Sequence, residues 1–419
     1  MKQTIQGITL HVWSRVKLLM RWILFSILSG LSIGLIGTFF FYCMKYATDA
    51  RASYPWLLFF LPVGGVLIVA SYRFMHDEKD SGTNLVLSAI HSGESIPLKM
   101  APLIFLSTVL THLFGGSAGR EGAALQLGGS IGNSLGRQLG FDQKDQHIMI
   151  MCGMSAAFSA LFGTPMAAAI FSMEVVSVGI MHYSALVPCV ISSLIAKGIA
   201  GYFSIVPEQF VIGSIPDFHF MTGAKTVLLA ICCAGVSVLF CIALHTSEHL
   251  YQKYLKNPYL RILAGGAILI LLTLLVGSQD YNGAGMPIIE ACFENEYVPY
   301  GFLLKILFTA ATLGAGYKGG EIVPSFFIGA TFGCLFGNLL GFAPSLCTAV
   351  GMGAVFCGVT NCPITSLLIC FELFGFEGMP YFLLSIAISY MLSGYYGLYH
   401  SQKIVYSKYK TEFINRKTH

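Results

Sequence analysis

GMSAAFSALFGTPMAAAIFSME, residues 153–174, aligns without a gap to GMGAVFCGVTNCPITSLLICFE, residues 351–372. The offset is 351 − 153 = 198, and identities fall at Gly153/Gly351, Met154/Met352, Ala156/Ala354, Phe158/Phe356, Pro165/Pro363 and Glu174/Glu372. A similar offset relates residues 128–132 to 329–333, and SGTNLVLSA from Ser81 matches AGMPIIEAC from Ala284 at 284 − 81 = 203. Three segments in one order at nearly one spacing argue for duplication rather than chance likeness between glycine-rich helices. The duplicated glutamates, each nine residues after a proline, suggest a structural role at a helix end or interface.

The surrounding sequence says what was duplicated. Of 419 residues, 55% are hydrophobic and 11% charged, and the mean hydropathy is +0.72. A soluble chain carries roughly a quarter of its residues as charges, so this chain cannot cover a water-facing surface and belongs in a bilayer. The net charge of +4, with no basic stripe, excludes a nucleic-acid partner. The 12 cysteines lie mostly inside apolar runs without metal-type spacing, so free buried thiols are expected, with no metal site and no cofactor. The 46 glycines suit helices that approach closely and helices that break.

Apolar runs cover 18–46, 55–75, 98–115, 121–140, 146–178, 183–204, 223–251, 258–277, 297–315, 320–341, 345–375 and 377–397, enough for at least ten membrane helices. No small-residue cleavage site follows the first of them, which is therefore expected to stay as a helix. Basic residues at both ends (Lys2, Arg15, Lys17, Arg21; Lys403, Lys408, Lys410, Arg416, Lys417) place both termini on the cytoplasmic side of a cell membrane. The expected division is a cytoplasmic segment at 1–17, a first membrane repeat at 18–205, a second at 206–400, and a short cytoplasmic tail at 401–419 with no regulatory domain.

Duplicated membrane halves point to a transporter-type fold whose site lies where broken helices from each half meet. The glycine-flanked charges mark the candidates. In GGSAGREGAALQLGG, residues 115–129, Gly119, Arg120, Glu121 and Gly122 precede an apolar helical run. A glycine-rich turn opening a helix aims free N–H groups and the positive end of the helix dipole at one point, an anion site without a fixed cation. The same point suits a carboxylate, so Glu121 can occupy it when ionised and leave when protonated. An interfacial Arg/Glu pair in a short loop is the alternative. In GYKGGEIVPSFFIGATFG, residues 316–333, Gly320 and Glu321 precede donors at Ile322 and Val323, with Pro324 closing the first turn. A simple capping role for Glu321 fits the spacing equally well. Ser81, Gly82, Thr83 and Asn84 form a third polar cluster that also suits a helix cap, and Tyr399 also suits an interface anchor.

Together these segments resemble the CLC family of anion channels and anion/proton exchangers. GREG looks like that family's gating-glutamate motif, GGEIVP its second-half anion-binding helix start, Ser81 and Gly82 its serine-containing first motif, and Tyr399 its late tyrosine. The resemblance implies an all-α, CLC-like inverted-repeat membrane transporter with broken and tilted helices. It also implies a homodimer with one anion pathway per subunit, and Glu121 as the proton-carrying gate. Several departures narrow it. Ala123 stands where chloride-transporting members usually have proline, Thr83 and Asn84 replace an apolar residue and proline, Val175 takes the place of an inner proton-transfer glutamate, and Glu321 replaces an apolar residue. These departures resemble the bacterial fluoride/proton exchanger branch, with Glu321 as a second proton-linked carboxylate. Fluoride is small and a strong acceptor, so Thr83, Asn84 and a protonated Glu321 suit it. Either Ser81 or Thr83 is the ion-facing hydroxyl, and Phe371 is a candidate aromatic wall.

The expected function is export of cytoplasmic fluoride in exchange for protons, with chloride/proton exchange or uncoupled anion conduction as alternatives. An intramembrane enzyme built on His112 and Glu121 ranks far lower. No HExxH pair and no nucleophile beside a base accompanies them, and His112 reads as a packing residue bonded to a helix.

Overall fold

Proline and glycine decide where the apolar runs break. The computed structural model describes residues 2–77, 81–94 and 96–419, with side chains from Val12 onward. In chain order its helices are α1 (Lys2–Ser53), α2 (Leu61–Phe74), α3 (Thr83–Ser92), α4 (Met100–Leu113), α5 (Glu121–Gln138), α6 (Gln146–Phe162), α7 (Pro165–Glu174), α8 (Leu186–Tyr202), α9 (Phe220–Tyr254), α10 (Pro258–Val276), α11 (Met286–Phe293), α12 (Gly301–Gly314), α13 (Ile322–Leu339), α14 (Pro344–Thr360), α15 (Pro363–Phe374) and α16 (Met379–Leu392). The apolar runs at 146–178 and 345–375 are each two helices. Gly163 and Asn361 adopt left-handed backbone that ends α6 and α14, and Pro165 and Pro363 open the next helix at its first turn. Helix α1 runs through the expected boundary at residue 17. Its 52 residues span about 78 Å, far more than the ~30 Å hydrocarbon layer.

The duplicated glycines explain the tightest packing. A methyl group at Gly128 would overlap the Gly153 carbonyl oxygen, and one at Gly329 would overlap that of Gly351. Lipid gives apolar helices no hydrophobic reason to associate, so close backbone contact is what holds such pairs. The crossings of α5 with α6 and of α13 with α14 are therefore the same joint, used once in each half of the chain.

The paired glutamates complete the symmetry. Glu174, at the end of α7, accepts hydrogen bonds from the backbone N–H groups of Ile364 (3.1 Å) and Thr365 (2.8 Å) and from the Thr365 hydroxyl (2.6 Å) at the start of α15. Glu372, near the end of α15, accepts from Met166 N (3.1 Å) and Ala167 N (2.9 Å) at the start of α7. Each helix thus caps the other with its own last-turn carboxylate, as their duplicated positions suggested. Carboxylates at these N-termini satisfy donors that lack intrahelical partners.

The C-terminal tail is more than the loose basic flank the sequence implied. Strands β1 (Ser177–Val178), β2 (Lys403–Tyr406) and β3 (Phe413–Lys417) form one small sheet in the order β1-β2-β3. Ser177 pairs in parallel with Lys403, and Lys403 pairs antiparallel with Lys417. Buried Gln402 fastens the tail inward: its amide donates to the carbonyls of Val175 (2.9 Å) and Thr360 (2.8 Å), and its oxygen accepts from Asn361 (2.9 Å). Lys408, counted above as a cytoplasmic basic residue, donates to the Tyr390 carbonyl (3.0 Å) and to the Ser393 hydroxyl (3.2 Å).

Candidate functional site

The starts of α5 and α13 meet head to head. Gly119 N–H donates to Gly320 O and Gly320 N–H donates to Gly119 O, both at 2.7 Å, an isolated antiparallel bridge between the two halves of the chain. Only glycine permits this approach: a methyl group at Gly320 would lie 2.5 Å from Gly122 N and 3.2 Å from Glu121 N. The loop before α5 is fixed against the second half as well. Ser117 N–H donates to the Thr312 hydroxyl at 3.1 Å, and the Asn282 amide donates to Gly115 O at 2.7 Å. Neither α5 nor α13 has a side chain capping its N-terminus. Two helix starts with uncapped first turns and dipoles aimed inward converge on one region.

Glu121 fills that region from the α5 side. Fully buried, it turns back on its own helix start, accepting from Arg120 N (3.0 Å) and Arg120 Nε (3.3 Å). The Arg120 guanidinium also bonds Glu208 at 2.7 Å and lies 4.8 Å from the centre of the Phe41 ring. Glu208 sits between α8 and α9, and no sequence motif pointed to it. A cavity of about 410 Å³ reaches Arg120, lined also by Arg51, His112, Asp280, Asn282 and Val323 among others. His112 donates Nδ1–H to Thr108 O at 2.9 Å, the helix bond expected of a packing residue.

The remaining candidates separate into those the fold gathers and those it does not. A methyl group at Gly122 would come within 3.3 Å of Glu321 Oε2 and 3.5 Å of Thr83 Oγ1, so Gly122, Glu321 and Thr83 share one point. Among the described residues, Glu321 Oε2 and the Tyr399 hydroxyl are buried with no hydrogen-bond partner. Buried polar atoms left this way call for an explanation such as an ion or water. Ile322 and Val323 are buried in the first turn of α13. The buried hydroxyl of the 81–84 cluster is Thr83, which donates to Gly122 O (3.4 Å) and accepts from Gln126 (3.2 Å). Ser81 is exposed, and Gly82 is the N-cap of α3 with a positive φ of 62°. Asn84 accepts from Ser401 N at 2.9 Å, tying α3 to the residues beside Tyr399. Phe371 lies in the last turns of α15, its ring 4.7 Å from that of exposed Phe376. The buried aromatic stack at the centre is Phe158, Phe162, Phe171, Phe326 and Phe356, with neighbouring centroids 5.1–6.0 Å apart.

Two supporting residues escaped the sequence reading. Gln126 shares the Thr83 hydroxyl, and nothing in its position five residues after Glu121 marks it. Lys305 is fully buried, donates to Tyr281 O (3.1 Å) and Gly283 O (2.7 Å), and thereby holds the turn before α11. A lone lysine inside the apolar run 297–315 was a legible signal, because intramembrane charges are rare and partnered.

The family described as voltage gated chloride channel matches residues 64–394. A chloride/fluoride channel protein of Pseudomonas syringae pv. tomato is 34% identical over 396 residues, 93% of this chain and 88% of its own. An H+/Cl− exchange transporter of Vibrio cholerae is 24% identical over 383 residues, 83% of this chain and 81% of its own. The crystal structure of a CLC-type fluoride/proton antiporter superposes with a TM-score of 0.88 at 32% identity, covering 92% of this chain and 98% of that one. A slow cyanobacterial Cl−/H+ antiporter shares the fold, with a TM-score of 0.74 at 19% identity over 89% of this chain and 94% of that one. With two helix starts meeting at Gly119 and Gly320 inside a duplicated multi-pass membrane fold, this chain belongs to the voltage gated chloride channel family, the CLC proteins.

Proposed function

We propose that the protein exchanges fluoride for protons across the cell membrane, exporting fluoride from the cytoplasm as protons enter. The observation that carries this reading is the Glu121 carboxylate lying at the junction of two uncapped helix starts, where a small anion would otherwise sit. Ionised, Glu121 stands in for the anion and accepts from Arg120. Protonated, it loses its attraction to the dipoles and to Arg120, and the point is open to fluoride. One site that alternates between a carboxylate and an anion couples the two movements without a second protein machine. Glu321 serves as a second proton-linked carboxylate: its unpartnered oxygen, when protonated, donates to the ion near Thr83. Gly119, Gly122, Gly320, Ile322 and Val323 offer backbone donors, Asn84 and Tyr399 polar side chains, and Arg120 holds the gate in place.

Fluoride is favoured over chloride by the compact donors and carboxyl groups gathered here and by likeness to a protein described as a fluoride/proton antiporter. The family's dimeric assembly, the division into repeats at 18–205 and 206–400, and cytoplasmic placement of both termini complete the reading. Likeness to the Pseudomonas syringae chloride/fluoride channel protein favours a second reading, passive anion conduction. Purified protein in liposomes loaded with fluoride or chloride separates the two. Exchange predicts fluoride efflux accompanied by proton uptake and little chloride flux. Fluoride or chloride efflux with no proton movement overturns it.

A further inference from the structure

Helix α9 ends in a polar stretch, His245-Thr-Ser-Glu248-His-Leu-Tyr-Gln-Lys, after an otherwise apolar run. His245 and Glu248, three residues apart on one helix face, are met by His400, which follows Tyr399 directly in the chain. The imidazole rings of His245 and His400 lie 3.9 Å apart, centre to centre. One ligand atom from each of His245, Glu248 and His400 lies within 4.8 Å of the others. A tetrahedral Zn²⁺ with bonds of about 2.0–2.2 Å holds its ligand atoms roughly 3.4 Å apart. Rotation of Glu248 and His400, both exposed, closes that difference.

The contacts around the cluster suit a ligating set. His245 donates Nε2–H to Gly397 O at 2.8 Å. A second contact of this kind fixes the tautomer of a ligating imidazole and leaves its other nitrogen as an acceptor for a metal. The Gln252 amide donates to Glu248 Oε1 at 2.9 Å, which steadies the carboxylate and leaves its second oxygen available. Two imidazoles and one carboxylate select borderline divalent cations over Ca²⁺ and Mg²⁺, which prefer all-oxygen sites. Three protein ligands leave a fourth position for water, so the ion exchanges with solution.

We propose that His245, Glu248 and His400 bind a divalent transition cation of the Zn²⁺ class, which clamps the segment carrying Tyr399 to α9 and slows transport. This departs from the sequence reading, which expected no metal site; the third ligand, His400, stands 400 − 245 = 155 positions after His245 and is brought to it only by the fold. The clamp reaches the pathway through one short stretch of chain. Leu398 N–H donates to Val359 O and Ser401 N–H to Asn84 Oδ1, both at 2.9 Å, with Tyr399 between them. Fixing His400 therefore restrains the neighbours of the unpartnered Tyr399 hydroxyl and of α3.

The test uses the full chain in detergent for binding and in liposomes for flux, with Zn²⁺ as the sole probe. Calorimetry of the parent, His400→Ala and Glu248→Gln should show one saturable site per chain at micromolar Zn²⁺, weakened at least about tenfold by either substitution. Fluoride efflux from parent liposomes should slow as Zn²⁺ is added and recover with chelator, and His400→Ala should lose that sensitivity. No saturable binding, or equal affinity in parent and both variants, as when Zn²⁺ sits on thiols instead, overturns the site. Saturable binding that depends on these residues but leaves flux unchanged overturns the clamp. The binding arm does not depend on which anion the protein carries, so its failure is distinguishable from failure of the fluoride reading.

Discussion

Glu121→Gln preserves the size and reach of the side chain while removing its ability to carry a proton. Proton uptake coupled to fluoride efflux should fall at least tenfold, about 1.4 kcal/mol or more of lost coupling, read with pH and fluoride electrodes on one liposome sample. Thr83→Val is nearly isosteric and removes the hydroxyl that lies between Gly122 O and Gln126. It should weaken fluoride transport by about ten- to a hundredfold, since one lost hydrogen bond to a charged group is worth ~1.5–3 kcal/mol. Ser81→Ala, at an exposed position, should leave the flux unchanged. A reversed pair of results would put Ser81 at the ion. At this scale the sequence made GREG and GGEIVP legible because glycine next to charge is rare in an apolar setting. It left Ser81 and Thr83 unresolved, because only the turn at Gly82 decides which hydroxyl points inward.

Helix α7 and helix α15 stabilise each other through their ends, so their contributions can be separated. Glu174→Ala leaves two N–H groups and a hydroxyl at the start of α15 unpaired, at about 1–3 kcal/mol for a buried polar group left unsatisfied. Glu372→Ala removes the two corresponding bonds to α7. The two sites are a helix of 10 residues, about 15 Å, apart, so the two losses in thermal stability should add. Strong non-additivity would show that the pair acts as one joint. Gly128→Ala and Gly351→Ala should each lower the melting temperature of the detergent-solubilised protein by a similar amount, as overpacking costs of order 1–3 kcal/mol, because each forces a methyl into the backbone crossing of its own half, α5 with α6 and α13 with α14. The helix content was readable from apolar runs, yet the breaks before Pro165 and Pro363 were not, since a proline in an apolar run can kink a helix or open a new one. Tertiary capping by Glu174 and Glu372 favours the second outcome.

Across the whole molecule, the tail is integral to the membrane core. Removing residues 401–419 takes away β2 and β3, the Gln402 bonds to Val175 and Thr360, and the Lys408 bonds to α16 and the loop that follows it. The shortened chain should melt at a lower temperature than the parent and lose transport activity, measured by thermal shift and liposome flux. Unchanged stability would mean that the hairpin merely rests on the surface. By charge alone the basic residues of this tail form a flank that orients the protein. The contacts show that Lys408 also has a packing role.

The sequence by itself determined the bilayer as solvent, the duplication, and the two glycine-flanked charges, because hydropathy, repeat spacing and local backbone freedom are properties of the chain read along its length. Tertiary structure alone decided that Gly119 and Gly320 bond to each other, that Glu174 and Glu372 exchange caps, that Thr83 rather than Ser81 is buried at the junction, and that His400 meets His245. Each of these joins residues far apart in the chain, and such a meeting depends on how helices cross and end in three dimensions, which no local pattern encodes.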